Sequence, residues 1–107
     1  MSRHRPLLQA ALNGDRGHPA TPRTPGELAA EARAAVAAGA RSLHLHPYDD
    51  AGRQTLAAAP CAAALRAVRD ACPGVEISLS TSAAIEPDPA RRDALVAAWT
   101  ELPDLAR

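Results

Sequence analysis

The sequence predicts an α/β fold built from three βα units with parallel strands, and three observations predict it. Short apolar runs alternate with Ala-rich helical patterns, helix-start signals precede two of the helical patterns, and Gly or Pro closes most segments. Strands that alternate with helices favour right-handed crossovers and parallel pairing. We therefore expect the order βαβαβα, followed by a short stretch that begins a fourth strand without completing it.

Three segments carry the strand patterns, and each ends at a turn or chain-breaking residue. They are residues 6–12, 41–46 and 75–80. The third alternates strictly between apolar and polar residues, which is typical of a strand with two different faces. The last seven residues, 101–107, give only the entry to a fourth strand.

The first helix has the clearest start signal in the chain. Thr24 is placed as the N-cap, Pro25 as the first helical residue, and Glu27 at the third helical position, which is the arrangement of a capping box. Leu28, Ala32 and Val36 follow at spacings of four, and Gly39 provides the stop.

Two further helices follow the second and third strands. The second is predicted over residues 58–71, with Leu65 and Val68 on its apolar face. The third opens at Asp88 and Pro89 and carries Leu95 and Trp99 four residues apart on one face.

Composition limits the possible partners. The chain has 107 residues, 12 Arg and no Lys against 12 acidic residues, and a formal net charge of zero. The absence of a basic excess argues against nucleic-acid binding and against a polybasic membrane-surface segment. No run of 18 uncharged apolar residues is present, and the apolar stretch near the N-terminus is too brief for a signal peptide. We expect a cytoplasmic protein.

The apolar residues would make a thin core. Ala supplies 27 of them, and Leu, Val and Ile together only 18. Ala buries little area, which suggests an incomplete chain. Cys61 and Cys72 form no zinc or redox motif and are interpreted as reduced packing thiols, although Cys61 lies near a helix start, where a thiol pKa can fall.

The strand faces differ in polarity. Leu43 and Leu45 point to one side of the second strand, and Ser42, His44 and His46 to the other. The third strand likewise places its apolar residues, Val75, Ile77 and Leu79, opposite its polar residues, Glu76, Ser78 and Ser80. A sheet covered on both sides would be apolar throughout. A (β/α)8 barrel with a polar interior fits, and so does an open sheet with one solvated face.

Candidate site residues lie where the strands end. Asn13, His46 and Ser80 close the three strands, and the carboxyl ends of barrel strands carry the active site. His44 and His46 share one side of a strand about 6.5 to 7 Å apart, so their imidazoles could converge on one metal ion. They could equally be two polar residues on a solvated face.

A hydroxyl cluster follows the third strand. Ser80, Thr81 and Ser82 could hold a carboxylate through side-chain and backbone donors, or could form an ordinary turn. No phosphate-binding loop, dinucleotide fingerprint or nucleophile elbow occurs in the chain.

An ordered set of short motifs resembles the N-terminal portion of the β-keto acid cleavage enzymes, the family named for 3-keto-5-aminohexanoate cleavage enzyme. The matching segments span nearly the whole chain. They are Ala10–Gly14, Thr24-Pro25-x-Glu27, Ala38–Arg41, His44-Leu45-His46, Gly52-Arg53, Cys72-Pro73 and Leu79-Ser80-Thr81.

The resemblance implies a zinc-dependent TIM (β/α)8 barrel that condenses a β-keto acid with acetyl-CoA, giving acetoacetate and a new CoA thioester. It assigns His44 and His46 as two zinc ligands. It places Ser80, Thr81 and Ser82 at the substrate, and we add Asn13 to this substrate-binding group. We expect small-molecule partners only and a homo-oligomeric parent enzyme.

Three departures from the family pattern involve four positions. Ser82 and Ala83 replace two glycines that follow the threonine, which affects close backbone approach to a carboxylate. Arg16 stands where the aminohexanoate enzyme has an acidic residue that reads the substrate amine, although Asp15 is adjacent, so that substrate is disfavoured. Glu76 replaces an apolar residue, and nothing in the sequence explains it.

The family barrel has about eight βα units, and only three are counted here. The third zinc ligand, a Glu, and the catalytic Asp and Arg of the family come from later strands. We therefore expect the chain to be an N-terminal fragment, residues 1–107 of a single barrel domain, without activity of its own. Three strands cannot close a barrel, so we expect Leu43, Leu79 and the interior face to meet solvent at an open edge.

Two other interpretations remain open. One is a stand-alone, non-enzymatic α/β module that oligomerises to cover its sheet. The other is a different barrel enzyme in which the two histidines act as acid and base.

Overall fold

The computed structural model describes residues 9–13, 22–82 and 85–106, and it contains seven elements in strictly alternating order. The strands are β1 (Gln9–Ala11), β2 (Ser42–Leu45), β3 (Glu76–Leu79) and β4 (Leu105–Ala106). The helices are α1 (Pro25–Ala37), α2 (Ala58–Ala71) and α3 (Pro89–Ala97). The predicted order is confirmed.

The four strands form one parallel sheet in the order β1-β2-β3-β4. Each strand therefore pairs with the next strand along the chain, which is the connectivity of consecutive βα units in a (β/α)8 barrel. An open parallel sheet of this kind is the predicted partial barrel.

The predicted entry to a fourth strand, residues 101–107, contains a two-residue strand that already pairs with β3. Leu105 pairs with Ser78 and Ala106 with Leu79. Asp104 anchors the entry to this strand, because its backbone N–H donates to Ile77 O (2.9 Å) and its Oδ2 accepts from Ile77 N (2.8 Å). The strand is two residues long, and no apolar alternation of useful length marks it in the sequence.

The helix starts follow their local chemistry. Thr24 Oγ1 accepts from Glu27 N (3.1 Å), and Glu27 Oε1 accepts from Thr24 N (3.0 Å), so the predicted capping box is present. Asp88 caps α3 by accepting from Ala90 N (3.1 Å). The bounds of α2 agree with the predicted ones.

Trp99 lies beyond α3 rather than on it, which corrects the predicted pairing with Leu95 on one helix face. Its indole N–H donates to Leu56 O (2.8 Å), and the residue is buried. Trp99 therefore joins the core from the segment between α3 and β4. No residue of α3 itself is buried.

The core lies between α1, α2 and one face of the sheet. Its fully buried members include Leu43 and Leu45 on β2, with Ile77 and Leu79 on β3. The expectation that Leu43 and Leu79 would meet solvent is wrong, because the helices cover this face. The helices add another group of buried side chains: Leu28 and Ala32 from α1, and Cys61, Ala64, Leu65 and Val68 from α2.

The opposite sheet face is polar, as the alternation predicted. Its side chains pair across the strands in register: Ser42 Oγ donates to Glu76 Oε1 (3.4 Å), and His44 Nδ1 lies 2.7 Å from Ser78 Oγ. Hydrogen bonds between neighbouring strands thus satisfy the polar groups of this face, which in a closed barrel is the interior.

Within the described residues, no helix is long and apolar enough to cross a bilayer.

Candidate metal and substrate site

His44 on β2 and His46, which directly follows this strand, face the same side at the carboxyl end of the sheet. Their ring centroids are 5.4 Å apart, and the ring planes are perpendicular. Both residues are half-buried. Two imidazoles at this separation can each direct one nitrogen toward a common ion, since zinc binds a His nitrogen at about 2.0 to 2.1 Å.

Asn13 joins the ends of β1 and β2. Its Nδ2 donates to His46 O (2.9 Å) and to Pro22 O (2.8 Å), and its Oδ1 accepts from His46 N (2.8 Å). Asn13 is buried. Two of these bonds hold the backbone of His46, so the side chain predicted to bind substrate positions a candidate metal ligand.

Each histidine has a side-chain partner at Nδ1. Ser78 Oγ lies 2.7 Å from His44 Nδ1, and Gln54 Oε1 lies 2.7 Å from His46 Nδ1. Hydrogen-bond partners of this kind orient histidine ligands in metal sites. Neither partner was predicted from the sequence. The strict alternation of β3 could have placed Ser78 beside His44, whereas Gln54 lies eight residues beyond its histidine.

The loop between β2 and α2 is a small folded unit. Asp49 Oδ1 accepts from Ala51 N (2.9 Å) and Arg53 N (3.0 Å), and Gly52 adopts a positive φ of 77°. This turn returns the chain toward the end of β2.

The predicted hydroxyl cluster takes three different environments. Ser80 is buried, and its N–H donates to Leu45 O (3.0 Å), next to His46. Thr81 is half-buried and lines a cavity of about 320 Å³ with residues of α3, among them Arg92 and Val96. Ser82 is exposed, and its carbonyl accepts from Ile85 N (2.9 Å). Ser80 is thus bonded directly to Leu45, the residue between the two histidines.

Three positions singled out in the sequence, Asp15, Arg16 and Ala83, lie outside the described residues. Glu76 lies at the opposite end of the sheet from the histidines, where it is exposed and accepts from Ser42. Its carboxylate therefore has a hydrogen-bonding role on the polar face and is remote from the strand ends.

The two cysteines are free and buried, as expected for packing thiols. Burial raises the pKa of the Cys61 thiol to about 12, so its position near a helix start does not produce a reactive thiolate. Neither cysteine is available as a soft metal ligand beside the histidines. In the part of the chain that the structure describes, no group of three or more His, Cys, Asp or Glu is placed to hold a metal.

Comparison with known proteins identifies the family and one relative of the chain. Residues 7–107 match the family model of the beta-keto acid cleavage enzymes. A 68-residue stretch is 40% identical to "3-keto-5-aminohexanoate cleavage enzyme" from Fusobacterium nucleatum subsp. nucleatum. This match covers 64% of the chain and 25% of the relative, so the chain matches about a quarter of that protein's length.

Proposed function

The chain belongs to the beta-keto acid cleavage enzyme family, and from this premise we propose that it forms the first part of a zinc-dependent barrel. The proposed reaction joins a β-keto acid with acetyl-CoA and yields acetoacetate and a new CoA thioester. The proposed partners are these two small molecules.

The observation that carries the proposal is the pair of imidazoles at the end of β2. His44 and His46 have ring centroids 5.4 Å apart, and each is hydrogen-bonded through Nδ1. This donor set fits two ligand positions of a zinc ion with nitrogen ligands. When bound, zinc would act as a Lewis acid that polarises the β-keto carbonyl.

The chain's own residues would hold the other end of the substrate. Ser80 is buried beside β2, and Thr81 follows it at the strand end. Their hydroxyl groups are the proposed donors to the substrate carboxylate. Ser82 would contribute through the turn that it forms with Ile85, and Asn13 would act by holding the strand ends in register.

Catalysis requires more than these residues. A catalytic zinc site has three protein ligands and one open position, and two of the ligands are proposed here. We propose that the third ligand and the groups that move protons come from strands beyond β4. The 107-residue chain alone is therefore expected to bind zinc weakly and to be inactive.

Zinc binding by the chain tests the metal assignment. Competition with a low-affinity chromophoric zinc indicator is expected to show one weak zinc site per chain for the unmodified protein and none for a His44→Ala/His46→Ala variant. The matched control is His4→Ala/His18→Ala, which removes the other two histidines of the sequence and is expected to keep zinc. Stoichiometric zinc in the His44/His46 variant would contradict the assignment.

Activity requires the completed barrel. A chimera in which residues 7–107 replace the matching segment of the Fusobacterium relative is expected to form acetoacetate from acetyl-CoA and a β-keto acid. His44→Ala in this chimera is expected to abolish the product. A soluble chimera that retains activity after this substitution would contradict the proposed role.

A further inference from the structure

We propose that Gln54 is a positioning residue that fixes the tautomer of His46, so that Nε2 of this histidine carries the lone pair. This inference rests on the proposed metal site. Its basis is the 2.7 Å contact between Gln54 Oε1 and His46 Nδ1. An amide oxygen only accepts hydrogen bonds, so His46 Nδ1 must carry the proton. A neutral imidazole with Nδ1 protonated presents Nε2 as its ligating atom.

The loop between β2 and α2 is built to deliver this side chain. Gln54 forms an antiparallel bridge with Tyr48, and Thr55 N donates to Pro47 O (3.0 Å). The loop therefore closes just beyond His46. Asp49 N donates to Arg53 O (2.8 Å), which adds a second backbone tie across the loop.

The packing below the loop supports the same placement. Leu56, two residues after Gln54, is fully buried, and its carbonyl accepts the indole N–H of Trp99. Cys61 Sγ contacts Thr55 O (3.8 Å) from the first turns of α2. The residues on the C-terminal side of Gln54 are thus fixed in the core, so the amide reaches His46 from an anchored backbone.

His44 differs in the nature of its partner. Ser78 Oγ can donate to His44 Nδ1 or accept from it, and it also lies 3.5 Å from Leu43 O. This contact is compatible with either tautomer of His44. Gln54 therefore makes His46 the histidine with a predetermined ligating nitrogen, whereas His44 can adapt when an ion binds.

The consequence is a difference in metal affinity. Removing a hydrogen-bond partner that orients a histidine ligand weakens metal binding by about 10- to 100-fold. We expect Gln54→Leu to weaken zinc binding within this range. Gln54→Glu is expected to retain it, because a carboxylate oxygen also accepts from Nδ1–H.

The test is the nitrogen spectrum of the histidines in the metal-free chain. With 15N-labelled histidine at pH 8, where a free imidazole is neutral, long-range 1H–15N correlations distinguish the two tautomers. His46 is expected to show protonated Nδ1 in the unmodified chain and in Gln54→Glu, and mixed tautomers in Gln54→Leu. The matched control, Ser78→Ala, is expected to change the signals of His44 and leave the His46 tautomer unchanged.

Two results would overturn the inference: a His46 protonated at Nε2 in the unmodified chain, or an unchanged His46 tautomer in Gln54→Leu. The competition assay for zinc separates this inference from the proposed function. If Gln54→Leu shows mixed His46 tautomers but neither the unmodified chain nor any variant binds zinc, the positioning role is supported and the metal site is contradicted. Zinc binding through both histidines that is insensitive to Gln54→Leu would support the site and contradict the positioning role.

Discussion

The carboxyl ends of β2 and β3 are built differently, although both strands carry residues assigned to the same site. At the end of β2, Asn13 makes three hydrogen bonds and Gln54 holds the His46 ring. At the end of β3, Ser80 is tied to β2 through its backbone, and the following helix, α3, buries no residue. The proposed metal-binding part of the site is therefore held by side-chain hydrogen bonds from Asn13 and Gln54, which both lie among the described residues.

This difference arises because different elements of the chain pack against the two strand ends. The end of β2 is flanked by α1 and α2, which pack together with it in the core. The end of β3 is flanked on one side by α3 and by the two-residue strand β4. In a closed barrel, later units would pack against this side. We expect the β3 end to be the less stable of the two.

The largest effect is expected from a core leucine of β2. Leu45 is fully buried, whereas Leu95 on α3 is half-buried. Leu45→Ala should lower the free energy of unfolding by about 2 to 5 kcal/mol, and Leu95→Ala by clearly less. Urea unfolding followed by far-UV circular dichroism measures both. Equal losses would mean that α3 is as firmly integrated as β2.

Asn13 is expected to give the next largest effect. Asn13→Ala leaves the His46 N–H and two carbonyls without their partner, which should reduce stability by about 1 to 3 kcal/mol. Ser80→Ala is the comparison at the other strand end, and it should be milder because the backbone bond to Leu45 remains. A larger loss for Ser80→Ala in the same urea titration would reverse the order that we infer.

The N-caps of α1 and α3 are expected to differ in their effect on global stability. Thr24→Ala removes one half of the capping box and should reduce stability by about 1 kcal/mol. Asp88→Ala removes the cap of α3 and should affect global unfolding less, because α3 can fray without exposing buried residues. Global stability that falls more for Asp88→Ala would place α3 within the cooperative core.

The same cap gives a pH dependence with a defined sign. Backbone hydrogen bonds from Thr24 and then from Arg23 lower the pKa of Glu27. The associated stability is present above the carboxyl pKa of the unfolded chain and is lost as the pH falls through the lower folded pKa. Glu27→Gln should flatten the stability profile in this acid range, and an unchanged profile would exclude the carboxylate as its source.

The last prediction concerns the chemical reactivity of the Cys61 thiol rather than the free energy of unfolding. Burial raises its pKa to about 12, so little thiolate exists at neutral pH. Alkylation by iodoacetamide at pH 7.5 should be slow in the native chain and rapid after denaturation, with Cys61 slower than the slightly less buried Cys72. Mass spectrometry of the tryptic peptides measures each site, and rapid native labelling of Cys61 would show that the loop beside Gln54 opens readily.

Local chemistry was sufficient to predict much of the fold from the sequence. The capping box at Thr24, the bounds of α2 and the alternation of β2 and β3 depend on nearby residues, and each is present. The beginning of a fourth strand was predicted at residues 101–107, but its pairing with β3 was not, because two residues carry no periodic signal.

The candidate site was predictable as residue types but not as contacts. The two-residue period of a strand predicts that His44 and His46 lie on the same face, and in the structure their ring centroids are 5.4 Å apart. The bonds from Asn13 to His46 join residues 33 positions apart and depend on the tertiary fold. Gln54 was missed for a related reason, because the loop geometry rather than a motif returns it to His46.

The coordination shell of bound zinc tests the central claim most directly. X-ray absorption at the zinc edge of the zinc-loaded chain is predicted to show two imidazole nitrogens at about 2.0 to 2.1 Å, with the remaining positions filled by oxygen. The imidazole scattering should be absent from the His44→Ala/His46→Ala variant and retained in His4→Ala/His18→Ala. Two results would contradict the proposed site: a coordination shell that contains sulfur at about 2.3 Å, or imidazole scattering that persists in the variant lacking His44 and His46.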